Sequence, residues 1–444
     1  MKPFYRSFAL FTILFLIFNL PHITGQGIET ITKTNLRAGV AKVDITPPIG
    51  IPLGGYDVRE GPATGIHDPL HVVVIVFDDG ETRAAIVSLD ILQVLQQAGD
   101  SIRSAIQSAT GIHKDHIIIN ASHTHGSPWF DADIHYKNEI IARSAEAARI
   151  AVSQLRQVSL GYGEGEIDFN INRRTIDADG KCCPKLNPKG ICDHRVKVLR
   201  IDDSDSMTPM SVIMHVVCHS NVFRGENTEV SGDFPGVAKS FIERAYYNST
   251  TAMFLQGCAG DIRPNLPDID TGGDGYGRSG SEADLTWCGW TLGTEVVRVA
   301  TQLRVHEQLI QRQTQFKITA AMATLELDAD AEKPGQATLQ RDRIIGGKSL
   351  LPIQVLKIGD IWFVCLPGEP VVEYGLQIEK NMEGLGEVFV MGFSAGDAGY
   401  IPVEHMFAEG GYEAECPYTP SCEKVVLDGV NQLVKEVIEK SILF

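Results

Sequence analysis

Apolar residues along the chain fall into two alternating kinds of run. Short runs rich in β-branched residues predict strands, and stretches with apolar residues every three or four positions predict amphipathic helices. The predicted strands are Ala38–Ile45, His71–Phe77, Ala84–Leu89, Ile117–Ala121, Val196–Ile201, Val212–Val217, Ala252–Leu255, Phe316–Leu327, Ile361–Leu366 and Glu387–Met391. The predicted helices are Ala98–Ala109, Lys137–Leu155, Gly236–Tyr247, Leu292–Leu303, Val371–Met382 and Lys424–Lys440. This alternation indicates an α/β fold in which layered mixed sheets are flanked by helices.

Two loops rich in Gly and Asp, Pro264–Gly280 and Asp328–Gly347, break this pattern without forming a linker. We therefore expect one large domain over residues 26–444 that carries loop insertions. The first loop contains a segment starting at Asp268 that is similar to a calcium loop. It lacks the ligand spacing and the closing Glu of an EF-hand, so it is interpreted as a surface loop.

The first 25 residues have the pattern of a secretory signal peptide. Lys2 and Arg6 precede an apolar run from Phe8 to Leu20 that is short for a membrane span. We expect residues 1–25 to be removed and the mature protein to be secreted or periplasmic. An uncleaved N-terminal membrane anchor is the alternative.

The composition excludes one class of partner. The chain has 444 residues with 39 Lys+Arg and 56 Asp+Glu, which gives a formal net charge of −17. Nucleic-acid binding needs a surplus of Lys and Arg, so we expect no nucleic-acid partner. The apolar fraction of 43% is that of an ordinary globular protein whose core needs no covalent support.

Nine cysteines are consistent with an exported protein, because disulfides persist in oxidising compartments. The predicted pairs are Cys416 with Cys422, Cys182 or Cys183 with Cys192, and Cys258 with Cys288. Cys218 and Cys365 lie in apolar strand-like runs and are expected to be buried thiols.

A strand that ends in His-x-His carries the clearest chemical signal. Ile117–Ala121 runs directly into His123 and His125, whose side chains point the same way in an extended backbone. The carboxyl ends of strands are where α/β sheets place their functional sites. The motif predicts a metal-binding or catalytic role, and two hydrogen-bonded histidines in a turn are the alternative.

Three further strand ends carry a side chain able to bind a metal or move a proton. They are His215 within Val212–Val217 with His219 just after it, Glu369 in the turn after Ile361–Leu366, and Tyr400 after Glu387–Met391. Read one at a time, each also fits a structural role: a core histidine, a carboxylate at a helix N-terminus or a half-buried aromatic. Read together, two histidines and a glutamate match an established catalytic zinc set with an open coordination position.

A rival motif, Gly-Phe-Ser-Ala-Gly, places Ser394 in the pattern of a nucleophile elbow. An elbow turns directly into a helix, but Gly396, Gly399 and Pro402 follow, and His405 is the only later histidine. A serine hydrolase is therefore the weaker alternative.

Taken in order, several segments between Arg37 and Cys416 resemble the neutral ceramidase family, that is, the neutral/alkaline non-lysosomal ceramidases. They are Ala38-Gly-Val-Ala-Lys-Val-Asp-Ile-Thr-Pro-Pro, Ser122-His-Thr-His, Asn170-Ile-Asn-Arg, Met214-His, Gly260-Asp-Ile-Arg-Pro-Asn, Pro367-Gly-Glu, Ala398-Gly-Tyr and Gly411-Tyr-Glu-Ala. The resemblance implies one zinc ion per chain, held by His123, His215, Glu369 and Tyr400. It implies that His125, Arg173 and Tyr412 contact the scissile amide or the zinc-bound water, and it offers no counterpart for His219.

The chain departs from this family at two points. Arg263 stands where the family has an active-site serine, and the chain is expected to lack the C-terminal β-sandwich domain of longer members. Arg263 either contacts a polar or anionic part of the substrate or is a structural cation on a loop. A route through zinc-activated water, with His125 as the base, needs no serine.

The implied function is that of an exported zinc amidohydrolase. Its partner would be a small-molecule or lipid amide, namely ceramide or a related N-acyl lipid, with transient contact to a membrane surface. Two alternatives stay open: a zinc hydrolase of a different amide or ester, and a non-catalytic exported protein that binds a metal.

Overall fold

The computed structural model describes residues 32–442, except 207, 268–274, 276, 308–314, 334–343, 395 and 397. The predicted signal peptide and the segment starting at Asp268 lie outside the described residues. The helices are α1 Gln96–Thr110, α2 Ile134–Ser153, α3 Asp233–Ala245, α4 Glu282–Glu307, α5 Val372–Asn381, α6 Glu404–Glu409 and α7 Cys422–Ile442, with short 3-10 turns at Lys114–His116 and Tyr412–Ala414. Within the described ranges, no helix combines the length and apolarity that a bilayer crossing requires.

Twelve strands form the ordered path of one large sheet. They are β1 Thr32–Asp44, β3 His71–Asp78, β4 Arg83–Leu89, β5 Ile117–Ala121, β6 Arg156–Glu166, β10 Arg195–Asp203, β11 Pro209–Val216, β13 Thr251–Gln256, β15 Ile318–Asp328, β17 Lys348–Ile358, β18 Ile361–Pro367 and β20 Glu387–Ser394, with β16 Ile344–Ile345 added beside β17. Their spatial order is β13-β11-β10-β6-β1-β3-β4-β5-β20-β18-β17-β15. Two-residue and three-residue strands form small pairs outside it: β2 Gly65–Ile66, β7 Asn170–Asn172, β8 Thr175–Ile176, β9 Cys182–Cys183, β12 Glu229–Val230, β14 Ile262–Pro264, β19 Glu369–Pro370 and β21 Tyr400–Ile401.

The large sheet contains three parallel pairs, and a helix connects the two strands of each. The pairs are β4 with β5 through α1, β11 with β13 through α3, and β18 with β20 through α5. Neighbours such as β1 and β3 are antiparallel, so the sheet is mixed. A parallel pair requires a crossover of this kind, and the sequence supplies a helix-forming stretch at each position.

The sheet curls so that its two halves pack against each other. On β3, Ile75 and Phe77 face an inner apolar layer that includes Met253 of β13 and Phe389 of β20. Ser88 on β4 donates a hydrogen bond across this layer to the carbonyl of Phe254 at 2.6 Å. Because both faces of the central strands are buried, these strands read as continuous apolar runs in the sequence.

Helices cover the outer faces of the sheet. The core cluster beneath α1 and α2 includes residues of β3 and β4, the cluster beneath α3 and α4 includes residues of β10, β11 and β13, and the cluster beneath α5 and α7 includes residues of β17, β18 and β20. The predicted α/β class with a layered mixed sheet and flanking helices is confirmed, and each predicted strand and helix is present.

Two long strands, β6 and β17, are not predicted by the apolar pattern. On β6, Gly163 and Gly165 face α4, and a Cβ added to Gly165 would lie 2.1 Å from Glu295 Oε1. These glycines allow the helix to approach closely, but they remove the side chains by which a strand is recognised. On β17, Pro352 and Gln354 interrupt the alternation.

All nine cysteines are free thiols, so the predicted disulfides are not present in this structure. Cys258 packs in the core beneath α5 and α7, whereas Cys288 packs in the separate core beneath α3 and α4. Cys422 directs its Sγ to the carbonyl of Pro402 at 3.3 Å. Cys218 and Cys365 are buried thiols, as predicted; a free cysteine packs in a core as a small apolar side chain.

Candidate active site

The carboxyl ends of the three crossover units surround one cavity of about 290 Å³. The segment after β5 supplies His123 and His125, the segment after β11 supplies His219, and the segments after β18 and β20 supply Glu369 and Tyr400. The site therefore lies at the edge of the sheet where α/β folds place ligands.

His123 is held in a fixed orientation. Its backbone is left-handed, with φ of 59°, and its buried ring packs on Phe393, whose φ of 48° is also left-handed. Such conformations cost about 1–3 kcal/mol each and cluster at functional sites. His123 Nδ1 lies 2.7 Å from the carbonyl oxygen of Leu92. A carbonyl only accepts, so Nδ1 carries the proton and Nε2 offers its lone pair to the cavity.

His219 is oriented in the same way. It is fully buried, and its Nδ1 lies 2.6 Å from the carbonyl oxygen of Ala259 and 3.0 Å from that of Ile262. Its Nε2 faces Glu369 Oε2 at 3.1 Å. Backbone carbonyls that hold the distal nitrogen of a histidine are the usual support of a metal-binding imidazole.

Glu369 and Tyr400 are register partners in the parallel β19–β21 pair, which brings their side chains to the same place. Burial alone would raise the pKa of Glu369, but the neighbouring His123 and His219 imidazoles and the hydroxyl of Tyr400 outweigh burial and lower that pKa to about 2. Burial and the neighbouring Glu369 carboxylate raise the pKa of the Tyr400 phenol well above its usual value. Glu369 Oε2 lies 3.5 Å from His123 Nε2.

His125 lies beside these residues, and its Nε2 is 3.2 Å from His123 Nε2. Its Nδ1 is buried without a hydrogen-bond partner. Gly55 packs directly against this nitrogen, because a Cβ built on Gly55 would lie 2.4 Å from it. Burial, followed by the charges of His123 and His219, holds the pKa of His125 well below its usual value, so the ring is neutral.

These side chains fit a divalent transition metal. One ligand atom from each of His123, His125 and His219 lies within 4.8 Å of the others, and all three residues are buried. Two Nε2 lone pairs and one ionised carboxylate are the donor set that zinc prefers in catalytic sites. The residues that would hold the ion are His123, His219 and Glu369, with His125 and the Tyr400 hydroxyl next to them.

Arg173 forms one wall of the site. It follows β7, which pairs with β14, and its Nη2 donates to the Gly260 carbonyl at 2.6 Å and to the Tyr400 hydroxyl at 3.2 Å. Its guanidinium carbon is 5.5 Å from the ring centre of Tyr400 and 5.5 Å from that of Tyr412. Tyr412 lines the cavity and is 44% exposed, which places it at the entrance.

Comparison with known proteins identifies the family. Residues 36–279 match the model of the neutral/alkaline non-lysosomal ceramidase N-terminal region, which is more than half of the chain. The chain belongs to the neutral/alkaline ceramidase family.

Individual ceramidases are distant in sequence. The neutral ceramidase of Mycobacterium tuberculosis is 21% identical over 88% of this chain and 72% of its own length. That of Drosophila pseudoobscura pseudoobscura is 23% identical over 59% of this chain and 40% of its own length. The crystal structure of neutral ceramidase from Pseudomonas aeruginosa has a TM-score of 0.72 at 19% identity, covering 90% of this chain and 74% of that one. A ceramidase complexed with C2 has a TM-score of 0.73 at 17% identity, covering 91% and 75%.

The ceramidase fold brings six of the predicted site residues together around the cavity: His123, His125, Arg173, Glu369, Tyr400 and Tyr412. Their individual roles stay predictions. The structure does not place the other two predicted residues, His215 and Arg263, at the cavity.

The assignment of His215 as a metal ligand does not fit this ceramidase site. His215 lies inside β11, and its Nε2 is 2.9 Å from the carbonyl of Val390 within the inner apolar layer. His219, four residues later, lines the cavity instead. The sequence contains a signal for this choice, since His123 and Glu369 both follow the end of a strand, and His219 does so whereas His215 does not.

Arg263 is buried on β14 with only 2% of its surface exposed, and it is not among the described residues that line the cavity. Of the two interpretations of this arginine, the structure favours a structural cation. Its register partner on β7 is Ile171, so strand pairing holds this segment in place.

Ser394 does not form a nucleophile elbow. The left-handed residue is Phe393 instead, and Ser394 Oγ donates to the carbonyl of Gly392 at 3.3 Å, away from the cavity. The described residues that line the cavity include no serine.

Sequence reasoning missed the segment from Gly54 to Arg59. The Tyr56 ring lies 4.8 Å from the ring of His125, and Arg59 Nη2 donates to the His125 carbonyl at 2.8 Å. Trp129 and Leu92 add an apolar wall to the cavity. These residues lie in loops without periodic pattern, so no hydrophobic signal identifies them.

Proposed function

We propose that this chain is a zinc-dependent amidohydrolase that cleaves the amide bond of ceramide or a related N-acyl lipid. One observation carries the proposal: His123 and His219 are both fixed with Nε2 toward the carboxylate of Glu369. Membership of the ceramidase family supports it.

Zinc held by His123, His219 and Glu369 would supply a Lewis acid, which would lower the pKa of water from about 16 to about 7. His125 directs Nε2 into the site, where this nitrogen can take a proton and return it to the leaving amine. Arg173 stabilises the negative charge that develops on the carbonyl oxygen, an effect of about 3–4 kcal/mol per donor in other enzymes. Leu92 and Trp129 offer apolar surface to an acyl chain.

Metal analysis and hydrolysis assays on the purified protein test this proposal. A panel of N-acyl lipids, N-acyl amino compounds and short esters is compared between the wild type and H123A. We expect about one zinc per chain and amide hydrolysis that H123A abolishes. Absence of zinc from the wild type, or equal hydrolysis by both, contradicts the proposal.

The same panel separates the two alternative functions. Zinc binding with hydrolysis of esters alone identifies a hydrolase of another substrate class, and the motivating feature is Arg263 at the position of the family serine. Zinc binding without any turnover identifies a metal-binding protein.

We propose further that residues 1–25 direct export and that residues 26–444 form the hydrolase domain. The apolar run from Phe8 to Leu20 after two basic residues supports this. The half-exposed aromatic rings of Trp129 and Tyr412 beside the cavity support transient contact with a lipid surface. N-terminal sequencing of the protein recovered outside the cell tests export, and an uncleaved Met1 contradicts it.

A further inference from the structure

Glu413 is a charged residue that is almost completely buried, with 2% of its surface exposed. Its two carboxylate oxygens bind two different arginines. Arg173 Nε donates to Oε1 at 2.8 Å, and Arg174 Nη1 donates to Oε2 at 2.6 Å. A buried carboxylate that satisfies two neighbouring guanidinium groups is costly to remove, since both cations then lose their counter-charge.

The ion pair with Glu413 uses Nε of Arg173 and leaves the terminal nitrogen Nη2 directed at the site. Nη2 reaches the Tyr400 hydroxyl and the Gly260 carbonyl, while the plane lies against the rings of Tyr400 and Tyr412. A guanidinium is a planar fork, so a contact at Nε fixes the direction of both terminal nitrogens. The carboxylate of Glu413 thus sets the orientation that Arg173 presents to the cavity.

Glu413 also anchors the segment that carries Tyr412. The two residues belong to the same 3-10 turn, Tyr412–Ala414. Tyr412 is 44% exposed at the cavity entrance, whereas Glu413 next to it is buried between the arginines. The two ion pairs therefore attach this surface turn to the β7 side of the site.

We propose that Glu413 is a positioning residue, which holds Arg173 against Tyr400 and holds the Tyr412 turn over the cavity. The inference rests on the proposed function for its catalytic consequence. Among the described residues, the hydrogen bonds and ion pairs of the Glu413 side chain go to Arg173 and Arg174 and not to His123, His219 or Glu369, so Glu413 acts through Arg173.

The test compares E413Q with E409Q as a matched control. Glu409 binds Arg174 at 3.0 Å in the same network and makes no hydrogen bond to Arg173 among the described contacts. We expect E413Q to lower kcat by about 100-fold with little change in KM, because displacement of a catalytic group by about 1 Å has an effect of this size. E409Q should stay within about threefold of the wild type.

A double-mutant cycle with R173M separates positioning from general damage. If Glu413 acts through Arg173, the double variant R173M/E413Q has the same kcat as R173M alone. The proposal is overturned if the kcat losses of R173M and E413Q multiply in the double variant. It is also overturned if E413Q is as active as the wild type.

Zinc affinity gives a readout that does not depend on hydrolysis. Arg173 donates to the hydroxyl of Tyr400, which the family resemblance implies as a zinc ligand, and loss of a contact to a ligand costs about 10–100-fold in metal affinity. We therefore expect E413Q and R173M each to bind zinc about 10-fold more weakly in competition with a chelator, without addition in the double variant. Unchanged zinc affinity in E413Q contradicts the proposal. A wild type that binds zinc but hydrolyses nothing refutes the proposed function instead. The zinc affinities of E413Q, R173M and the double variant then still test whether Glu413 positions Arg173.

If E413Q does not fold, E413D replaces it. Aspartate keeps the charge but withdraws the carboxylate by one carbon–carbon bond, about 1.5 Å. We expect the loss of kcat in E413D to be about a tenth of the loss in E413Q. An E413D protein equal to the wild type in both kcat and zinc affinity overturns the proposal.

Discussion

His219 Nε2 lies 3.1 Å from Glu369 Oε2, and this contact joins two crossover units whose residues are 150 positions apart in the sequence. His123 completes the group from a third unit, at 3.5 Å from the same oxygen. The distances place three ligand atoms from three separate strand ends around one point.

The first prediction concerns which histidine binds zinc. We expect H219A to lose zinc, because the Nε2 of His219 faces Glu369, and H215N to retain it, because the Nε2 of His215 faces the Val390 carbonyl rather than the cavity. Zinc at 100 times its Kd stabilises a folded protein by about 2.7 kcal/mol. A chelator should therefore lower the melting temperature of the wild type and H215N but not of H219A. Loss of zinc from H215N alone would support His215, rather than His219, as the zinc ligand.

The second prediction concerns Gly55. Its φ of +92° and the 2.4 Å approach of a built Cβ to His125 Nδ1 leave no room for a side chain. We expect G55A to lose about 1–2 kcal/mol of folding stability from the backbone conformation alone. It should also lower kcat about 100-fold by displacing the His125 ring.

Gly50 provides the matched control for that variant. Its φ of +100° carries a similar backbone cost, but no atom lies within 4 Å of its built Cβ. G50A should lose stability without losing activity. Activity is measured as kcat, and stability is measured by urea unfolding. Equal losses of kcat in G55A and G50A would show that His125 is not displaced.

The third prediction concerns a buried ion pair. Lys239 of α3 contacts both oxygens of Asp90, at the end of β4, at 2.5 Å. Removing one partner leaves the other buried and unpaired, so K239M should lower the free energy of unfolding by about 3–5 kcal/mol. K424M, which removes the exposed pair with Asp428, should have no measurable effect in the same urea titration. A small effect of K239M would indicate that water reaches Asp90 after the substitution.

The fourth prediction concerns pH. Burial raises the pKa of Asp261 to about 7, so the folded protein holds this proton more tightly than the unfolded chain does. The contribution of the protonated Asp261 carboxyl to the free energy of unfolding is complete below the ordinary pKa of about 3.9. This contribution is lost as pH rises through 7. D261N should therefore lose less stability than the wild type between pH 4 and pH 7.

A second carboxyl group gives an internal comparison. Burial raises the pKa of Asp233 to about 6, so D233N should flatten the same curve over a range that ends about one pH unit lower. Urea unfolding at several pH values measures both. Slopes unchanged from the wild type in both variants would contradict the assigned shifts.

The sequence was sufficient to predict the strands that surround the site, because their burial on both faces leaves long apolar runs such as that of β3. It also predicted that His123, Glu369 and Tyr400 meet, since each follows a strand. The position of His219 after a strand end was a signal in its favour, but the contact that occupies His215, with Val390 from a distant strand, could not be predicted. Three-dimensional contacts of this kind leave no trace in local periodicity.

The same reasoning explains the other differences. Gly165 in β6 packs against Glu295 of α4, which lies 130 residues later in the chain. The neighbouring sequence therefore does not show why a glycine stands in this strand. Cysteine spacing predicted disulfides, but Cys258 and Cys288 pack into separate cores beneath different helices. Arg263 replaces a serine in the family pattern, and its burial on β14 is decided by strand pairing.

The arrival of each candidate ligand on a different strand–helix–strand unit has a consequence for biosynthesis. A nascent chain that has produced only the first unit contains His123 but neither His219 nor Glu369, and the last of them emerges near residue 369. High-affinity capture of zinc would therefore mark the end of assembly rather than guide its beginning, and metal loading would report that the whole polypeptide has reached its final shape.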